Sequence, residues 1–170
     1  MEVLVVVDMQ KDFISGALGT KEAVAIVPRV AEKIEQAKKV GKTVVFTRDT
    51  HHENYLSTQE GKNLPVPHCL KDSDGWQIDP ALDTTGALIF DKPSFGSEAL
   101  VRYLKELRGL ERAEFVGLCT DICVITNVLS TKCALPELPI TVDSSCCAGV
   151  TPESHENALS AMRMCQIGVV

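Results

Sequence analysis

Glu114-Phe115-Val116-Gly117-Leu118-Cys119-Thr120-Asp121-Ile122-Cys123 decides the reading of this chain. Its first half is an apolar run that reads as a buried strand, and the stretch after Cys123 has helical apolar spacing, so Cys123 stands at a strand-to-helix turn. A thiol becomes reactive in such a place. Amides of the first helical turn lack intrahelical partners, and their partial positive charge favours thiolate over thiol.

Working outward, short β-branched runs recur at Glu2 to Val7, Thr43 to Thr47, Ala87 to Phe90, Glu114 to Leu118, Pro139 to Val142 and Ile167 to Val170. Helical patterns lie between them. Val24, Val27, Val30, Ile34, Ala37 and Val40 repeat at helical spacing before Gly41; Leu100, Tyr103, Leu104 and Leu107 do so after Ser97. A third helix is expected from Asp121 towards Cys133. A fourth opens with Thr151 as N-cap and Pro152 at the first helical position, then carries Ala158, Met162 and Cys165. Alternating strands and helices with near-continuous apolar strands imply an α/β fold, a doubly wound three-layer sandwich around a six-stranded parallel sheet.

The length of 170 residues suits a single domain over 1–170. A formal charge of −6, with no compensating block of Lys or Arg, argues against nucleic acid or an anionic membrane as partner and favours a small molecule. The N-terminus lacks a basic leader region and stops being apolar too soon to span a bilayer, so a cytoplasmic protein is expected. Seven cysteines, an odd number that includes adjacent Cys146 and Cys147, make a poor disulfide framework and suit a reducing compartment. The runs at Cys146-Cys147 and Leu135-Pro136 read as lying near loops.

In open parallel sheets ligands bind beyond the carboxyl ends of the strands. Asp8 ends the first strand, Asp49 and His51 the second, Asp91 and Lys92 the third, and the Cys119 to Cys123 turn the fourth. Alone, each is ordinary, as a capping carboxylate or a solvated lysine. Together they supply a carboxylate, an ammonium and a thiol, the parts needed for nucleophilic acyl transfer. Cys123 would attack a carbonyl carbon, Lys92 would lower its pKa, and Asp8 would carry the proton to the leaving amine. Backbone amides of Cys119 and Cys123 would cradle the oxyanion.

The long irregular segment Arg48 to Asp79 holds three of the four histidines and the only tryptophan, and a loop of that length is more often functional than idle. Asp49 and His51 are alternate residues of an extended backbone, and Pro65 and Pro67 stiffen the approach to His68. Carboxylate with imidazoles suits one divalent ion, Zn²⁺, Fe²⁺ or Mn²⁺. His52 reads as a solvated loop residue, Cys69 is left out of the ligand set, and Trp76 reads as packing at the loop's return.

The chain resembles the nicotinamidase/pyrazinamidase branch of the isochorismatase-like cysteine hydrolases. The resemblance spans essentially the whole chain and rests on Val7-Asp8-Met9-Gln10-Lys11-Asp12-Phe13, Arg48-Asp49-Thr50-His51 with Pro67-His68-Cys69, Asp91-Lys92, and Gly117 to Val124. It implies a catalytic triad of Asp8, Lys92 and Cys123 and a metal held by Asp49, His51 and His68, with Glu60 as the best match to a variable fourth ligand. It also implies a cis peptide between Leu118 and Cys119, an aromatic wall containing Phe13 and Phe95, and a ring nitrogen bound at the metal. Where many relatives carry a bulky aromatic before the metal histidine, this chain has Leu64 and Pro65. The implied reaction is hydrolysis of nicotinamide to nicotinate and ammonia through a cysteine thioester, with pyrazinamide as an analogue. Relatives commonly form dimers or larger homo-oligomers. The rival readings are a metal-free cysteine amidase acting on another small amide or carbamoyl compound, and a binding module that has kept the fold without activity.

Overall fold

The computed structural model describes residues 1–170 and centres on a six-stranded sheet in which every pairing is parallel. The strands are β1 (Glu2–Val7), β2 (Thr43–Asp49), β3 (Leu88–Lys92), β4 (Arg112–Leu118), β5 (Ile140–Ala148) and β6 (Gly168–Val169), in the spatial order β3-β2-β1-β4-β5-β6. The helices are α1 (Lys11–Ile14), α2 (Lys21–Lys39), α3 (Gln59–Asn63), α4 (Glu98–Glu106), α5 (Ile125–Ala134) and α6 (Pro152–Met164). No helix is long and apolar enough to cross a membrane.

β1 shows why the sheet is covered twice. Successive side chains of a strand point to opposite faces. Val3, Val5 and Val7 pack with Leu100 and Leu104 of α4, Val128 of α5 and Leu159 and Met162 of α6. Leu4 and Val6 pack on the other face with Ile26, Val30 and Ile34 of α2. Each such side chain contributes roughly 1.5–3 kcal/mol on leaving water, and a polar residue at any of these five positions would be buried.

The helices start where their caps place them. Thr20, Ser97 and Thr151 accept hydrogen bonds from the amides of Ala23, Leu100 and Ser154, at 3.0, 3.1 and 3.1 Å. Ser154 returns the bond to the Thr151 amide at 3.0 Å, closing a capping box ahead of Pro152.

Three expectations about elements need correcting. The buried stripe of α2 is Ala23, Ile26, Val30, Ile34 and Ala37, while Val24 and Val40 are exposed, because both lie off that face of the helix. β5 runs on to Ala148 and takes Cys146 and Cys147 into the sheet. Its polar centre, Asp143-Ser144-Ser145, breaks the apolar run and coincides with an irregular register, in which four residues of β5 lie opposite one of β4, Val116, between Phe115↔Val142 and Gly117↔Cys147. The third helix opens with a π turn, Thr120–Val124, before α5 begins. Within the long segment, a 3-10 turn at Tyr55–Ser57 and α3 are formed as well.

Candidate active site

The sheet order reverses beside β1, which is flanked by β2 on one side and β4 on the other, and the crevice opens beyond their carboxyl ends. Asp8 follows β1, Asp49 ends β2, Lys92 ends β3 and Cys123 lies in the π turn after β4. Single-turn π segments recur at functional sites. Gly117 makes the approach of β4 possible, since its φ is +117° and a Cβ there would stand 2.1 Å from the Val7 carbonyl oxygen. Asp8 itself sits at φ +47°, a left-handed conformation uncommon outside glycine that turns the chain at the strand tip. The Leu118–Cys119 peptide is cis, as the resemblance implies.

Lys92 is the hub. Its ammonium lies 2.6 Å from Asp8 Oδ2, 3.2 Å from Asp49 Oδ1 and 3.4 Å from Cys123 Sγ, and donates to the Ser94 carbonyl at 2.9 Å. Asp8 Oδ1 accepts from the Thr47 hydroxyl at 2.7 Å. All three members of this group are buried. Burial raises the Asp8 carboxyl above its usual range, against the pull of Lys92. Burial and the Asp8 charge likewise push the Cys123 thiol well above its ordinary value, with Lys92 acting in the opposite sense. The expected lowering of the Cys123 pKa is therefore outweighed. The reason is that Lys92 is shared by two carboxylates, whose hold keeps it protonated despite burial. The resting group is a thiol beside a carboxylate with raised proton affinity, so moving the proton from sulfur to Asp8 leaves the net charge of the pocket unchanged.

Asp49 joins this group to a second cluster. Its Oδ2 lies 2.9 Å from His51 Nε2 and 3.6 Å from His68 Nε2, while Glu60 Oε1 is 3.4 and 3.6 Å from the same two nitrogens. All four ligand atoms fall within 4.8 Å of one another. Bonds of about 2.0–2.2 Å set adjacent ligand atoms of a divalent ion roughly 3.0–3.4 Å apart, and the four carboxylate–imidazole distances of 2.9 to 3.6 Å bracket that range. His51 Nε2 is buried without a hydrogen-bond partner, although two carboxylates flank it. His68 Nδ1 must donate to the Val66 carbonyl at 2.8 Å, which leaves Nε2 with a lone pair facing the cluster. These residues fit a divalent cation. Glu60 reaches it from α3, where Thr58 caps the Gly61 amide and Gly61 packs so closely on Tyr55 that a Cβ would meet the Tyr55 carbonyl at 2.0 Å.

A cavity of about 310 Å³ separates the two groups from solvent, lined by Phe13, Leu64, Phe95, Cys119, Cys123, Asp49, Glu60 and His68, with Leu18, Thr20, Ile122 and Val150. Of the residues singled out from the sequence for catalysis, metal or substrate, Asp8, His51 and Lys92 stand outside the lining: His51 touches Asp49, Lys92 touches Asp49 and Cys123, and Asp8 pairs with Lys92. Asp91 is exposed and pairs with Arg48 at 2.7 Å, because alternation along β3 turns it away from Lys92. His52 is exposed, and Trp76 packs under Arg48 and donates to Thr50 at 2.9 Å, as expected.

Supporting residues escaped the sequence reading. Gln10 is buried and clamps the Asp49 backbone, accepting from its amide at 2.7 Å and donating to its carbonyl at 2.8 Å. Asn127 is buried on α5 and donates to the carbonyls of Cys123 and Phe95 while accepting from the Ser97 amide, at 2.8, 3.1 and 2.9 Å. It ties the nucleophile turn to the loop after Lys92. Asp12 accepts from the Cys69 amide at 2.7 Å, and Tyr55 packs tilted against His51 and edge-on to His68, its hydroxyl donating to the Leu64 carbonyl. Only the polarity of Gln10 and Asn127 inside apolar stretches could have flagged them.

The chain belongs to the isochorismatase domain family, whose model matches residues 2–170. Within that range it is similar to the nicotinamidase/pyrazinamidase of Mycobacterium tuberculosis, with 27% identity over 100% of this chain and 98% of the relative. Among solved structures it is similar to the pyrazinamidase of Pyrococcus horikoshii in complex with zinc, with a TM-score of 0.87, 31% identity and coverage of 99% and 98%. The N-carbamoylsarcosine amidase of Thermoplasma acidophilum is also similar, with a TM-score of 0.79, 26% identity and coverage of 99% and 94%.

Proposed function

We propose that this protein is an amidohydrolase that converts nicotinamide to nicotinate and ammonia, and accepts pyrazinamide as an analogue. One observation carries the reading: a single buried ammonium, Lys92, touches Asp8, Cys123 and Asp49, so the acyl-transfer group and the four-ligand cluster share one cavity floor. The names of the relatives support the same substrate.

Cys123 Sγ attacks the carboxamide carbon as its proton passes to Asp8 Oδ2, and backbone amides of Cys119 and Cys123 receive the oxyanion. Collapse breaks the C–N bond, Asp8 returns the proton to nitrogen, and ammonia leaves a thioester. Water then attacks the thioester while Asp8 takes its proton; collapse breaks the C–S bond, and the sulfur regains a proton from Asp8. Lys92 holds both partners in place and balances the charge of Asp8 and Asp49. Asp49, His51, Glu60 and His68 would hold one divalent ion, zinc, iron or manganese as supply dictates. When bound, it supplies a Lewis-acid position for the ring nitrogen. Phe13, packed on His68 with ring centroids 5.5 Å apart, and Phe95 flank the ring.

The cavity lining bears on the rival reading. It contains Asp49 and Glu60 and no Arg or Lys, so in the metal-free protein that the rival requires, a substrate carrying its own carboxylate would face two acids with no cation in the lining. A neutral heteroaromatic amide fits better than a carbamoyl amino acid. A reducing cytoplasmic setting belongs to this reading, since all seven cysteines are free. The test is ammonia release from nicotinamide, with and without added divalent metal, beside elemental analysis of protein purified without chelator. Turnover that rises with metal, and one ion per chain, are expected. Metal-loaded protein that releases no ammonia from nicotinamide would overturn the proposal.

A further inference from the structure

We infer that His155 is a positioning residue for the oxyanion site, acting through Thr120 on the turn that carries Cys119 and Cys123. The inference rests on the acyl-transfer reading above and adds to it a residue that stands outside the cavity lining.

The two amides that receive the oxyanion stand four residues apart, joined by Thr120, Asp121 and Ile122. An oxyanion donor is effective at about 2.7–3.1 Å from the developing charge, so the path between the two amides must be held. Asn127 grips the Cys123 end through its carbonyl. The other end is held from α6 and the residues just before it. Asp121 accepts from the Val150 amide at 3.1 Å, and the hydroxyl of the fully buried Thr120 lies 2.8 Å from His155 Nδ1. His155 is the one partner of that hydroxyl.

The start of α6 is shaped to deliver this ring. Its capping box fixes the first turn, and the His155 amide donates to the Thr151 carbonyl at 3.0 Å. Gly149 lets the helix press down, since a Cβ there would meet His155 at 2.9 Å. Only 16% of the His155 side chain is exposed. The direction of the bond follows from counting protons. If Nδ1 carried the hydrogen, the buried Thr120 hydroxyl would keep a proton with no acceptor. Thr120 therefore donates to the Nδ1 lone pair, and Nε2 carries the hydrogen, on the side of the Glu156 carboxylate 3.9 Å away. The bond holds Thr120 in one rotamer and pins the backbone between the two oxyanion amides.

The experiment measures ammonia release from nicotinamide by metal-loaded protein, with kcat and KM separated. His155→Leu nearly keeps the bulk of the ring and removes the acceptor. Its kcat should fall roughly 10- to 100-fold, as for a small misplacement of reacting groups, while KM and bound metal stay as in wild type. His155→Asn, whose side-chain oxygen can stand where Nδ1 stood, should recover most of the lost kcat. Thr120→Val should match His155→Leu, and the double variant should be no slower than either, because each removes the same bond. A wild-type kcat in His155→Leu, an Asn variant no faster than the Leu one, or losses that multiply in the double variant would overturn the inference. If the variants fail to fold, the unaltered protein still decides. Nitrogen-15 NMR of histidine-labelled protein at pH 8 should find His155 as the Nε2–H tautomer, and a ring carrying its hydrogen on Nδ1 would overturn the inference. Wild-type protein that releases no ammonia would refute the underlying reading instead.

Discussion

Replacing Lys92 with Met removes the cation that Asp8 and Asp49 share and nearly preserves its volume. In the native protein that ammonium is buried, 2.6 Å from one carboxylate and 3.2 Å from the other. Taking one partner from a buried ion pair costs about 3–5 kcal/mol, because the remaining charge is left without compensation. Asp8 can relieve part of this by holding a proton, since burial already raises its carboxyl and Lys92 is the main opposing influence. The sign follows by linkage. A carboxyl whose pKa is raised on folding binds a proton that the unfolded chain releases above about pH 4, so the penalty grows as pH rises from there and fades below it. Urea unfolding should show Lys92→Met to be about 3–5 kcal/mol less stable than wild type at pH 8, with a smaller deficit at pH 5. Adding Asp8→Asn should restore about half of the loss, because one orphaned charge is gone, while activity stays absent. A Lys92→Met protein as stable as wild type at pH 8, or a double variant no better than the single one, would refute the shared-cation account.

Gly117→Ala should cost about 3 kcal/mol or more, from positive φ and the clash with the Val7 carbonyl, and calorimetry should show the loss of Tm. Because Val7 precedes Asp8, ammonia release should fall further than the stability loss alone explains. Asn127→Ala strands the Cys123 and Phe95 carbonyls and the Ser97 amide, at about 1–3 kcal/mol for each unsatisfied group. Its kcat should fall more than its KM rises, since the nucleophile turn loosens while the four-ligand cluster is untouched.

The candidate catalytic residues were legible because each stands at a strand tip, where topology alone brings Asp8, Asp49, Lys92 and Cys123 to one edge. His68 and Glu60 lie in the long segment; the two prolines before His68 marked it as a ligand to join Asp49 and His51, and only the family resemblance placed Glu60 beside them. Period-two alternation puts Asp91 on the opposite face from Lys92, so a list of strand-end residues includes one that points away from the site. Gln10 and Asn127 were illegible for a different reason. Gln10 bonds to backbone groups 39 residues away and Asn127 to groups 30 and 32 residues away as well as to the nearby Cys123 carbonyl, and no local pattern records the distant partners. The extent of β5 was hidden because Asp143, Ser144 and Ser145 sit where its pairing with β4 loses register, which relaxes the demand for apolar side chains.

The central claim is that Cys123 forms the acyl bond. Metal-loaded wild-type protein and Cys123→Ala should be mixed with nicotinamide, sampled for ammonia, and quenched in acid for intact-mass and peptide mapping. Wild type should release ammonia and carry a nicotinoyl group on the peptide containing Cys123, and the variant should do neither while keeping its Tm. Ammonia release by Cys123→Ala at the wild-type rate would contradict the account.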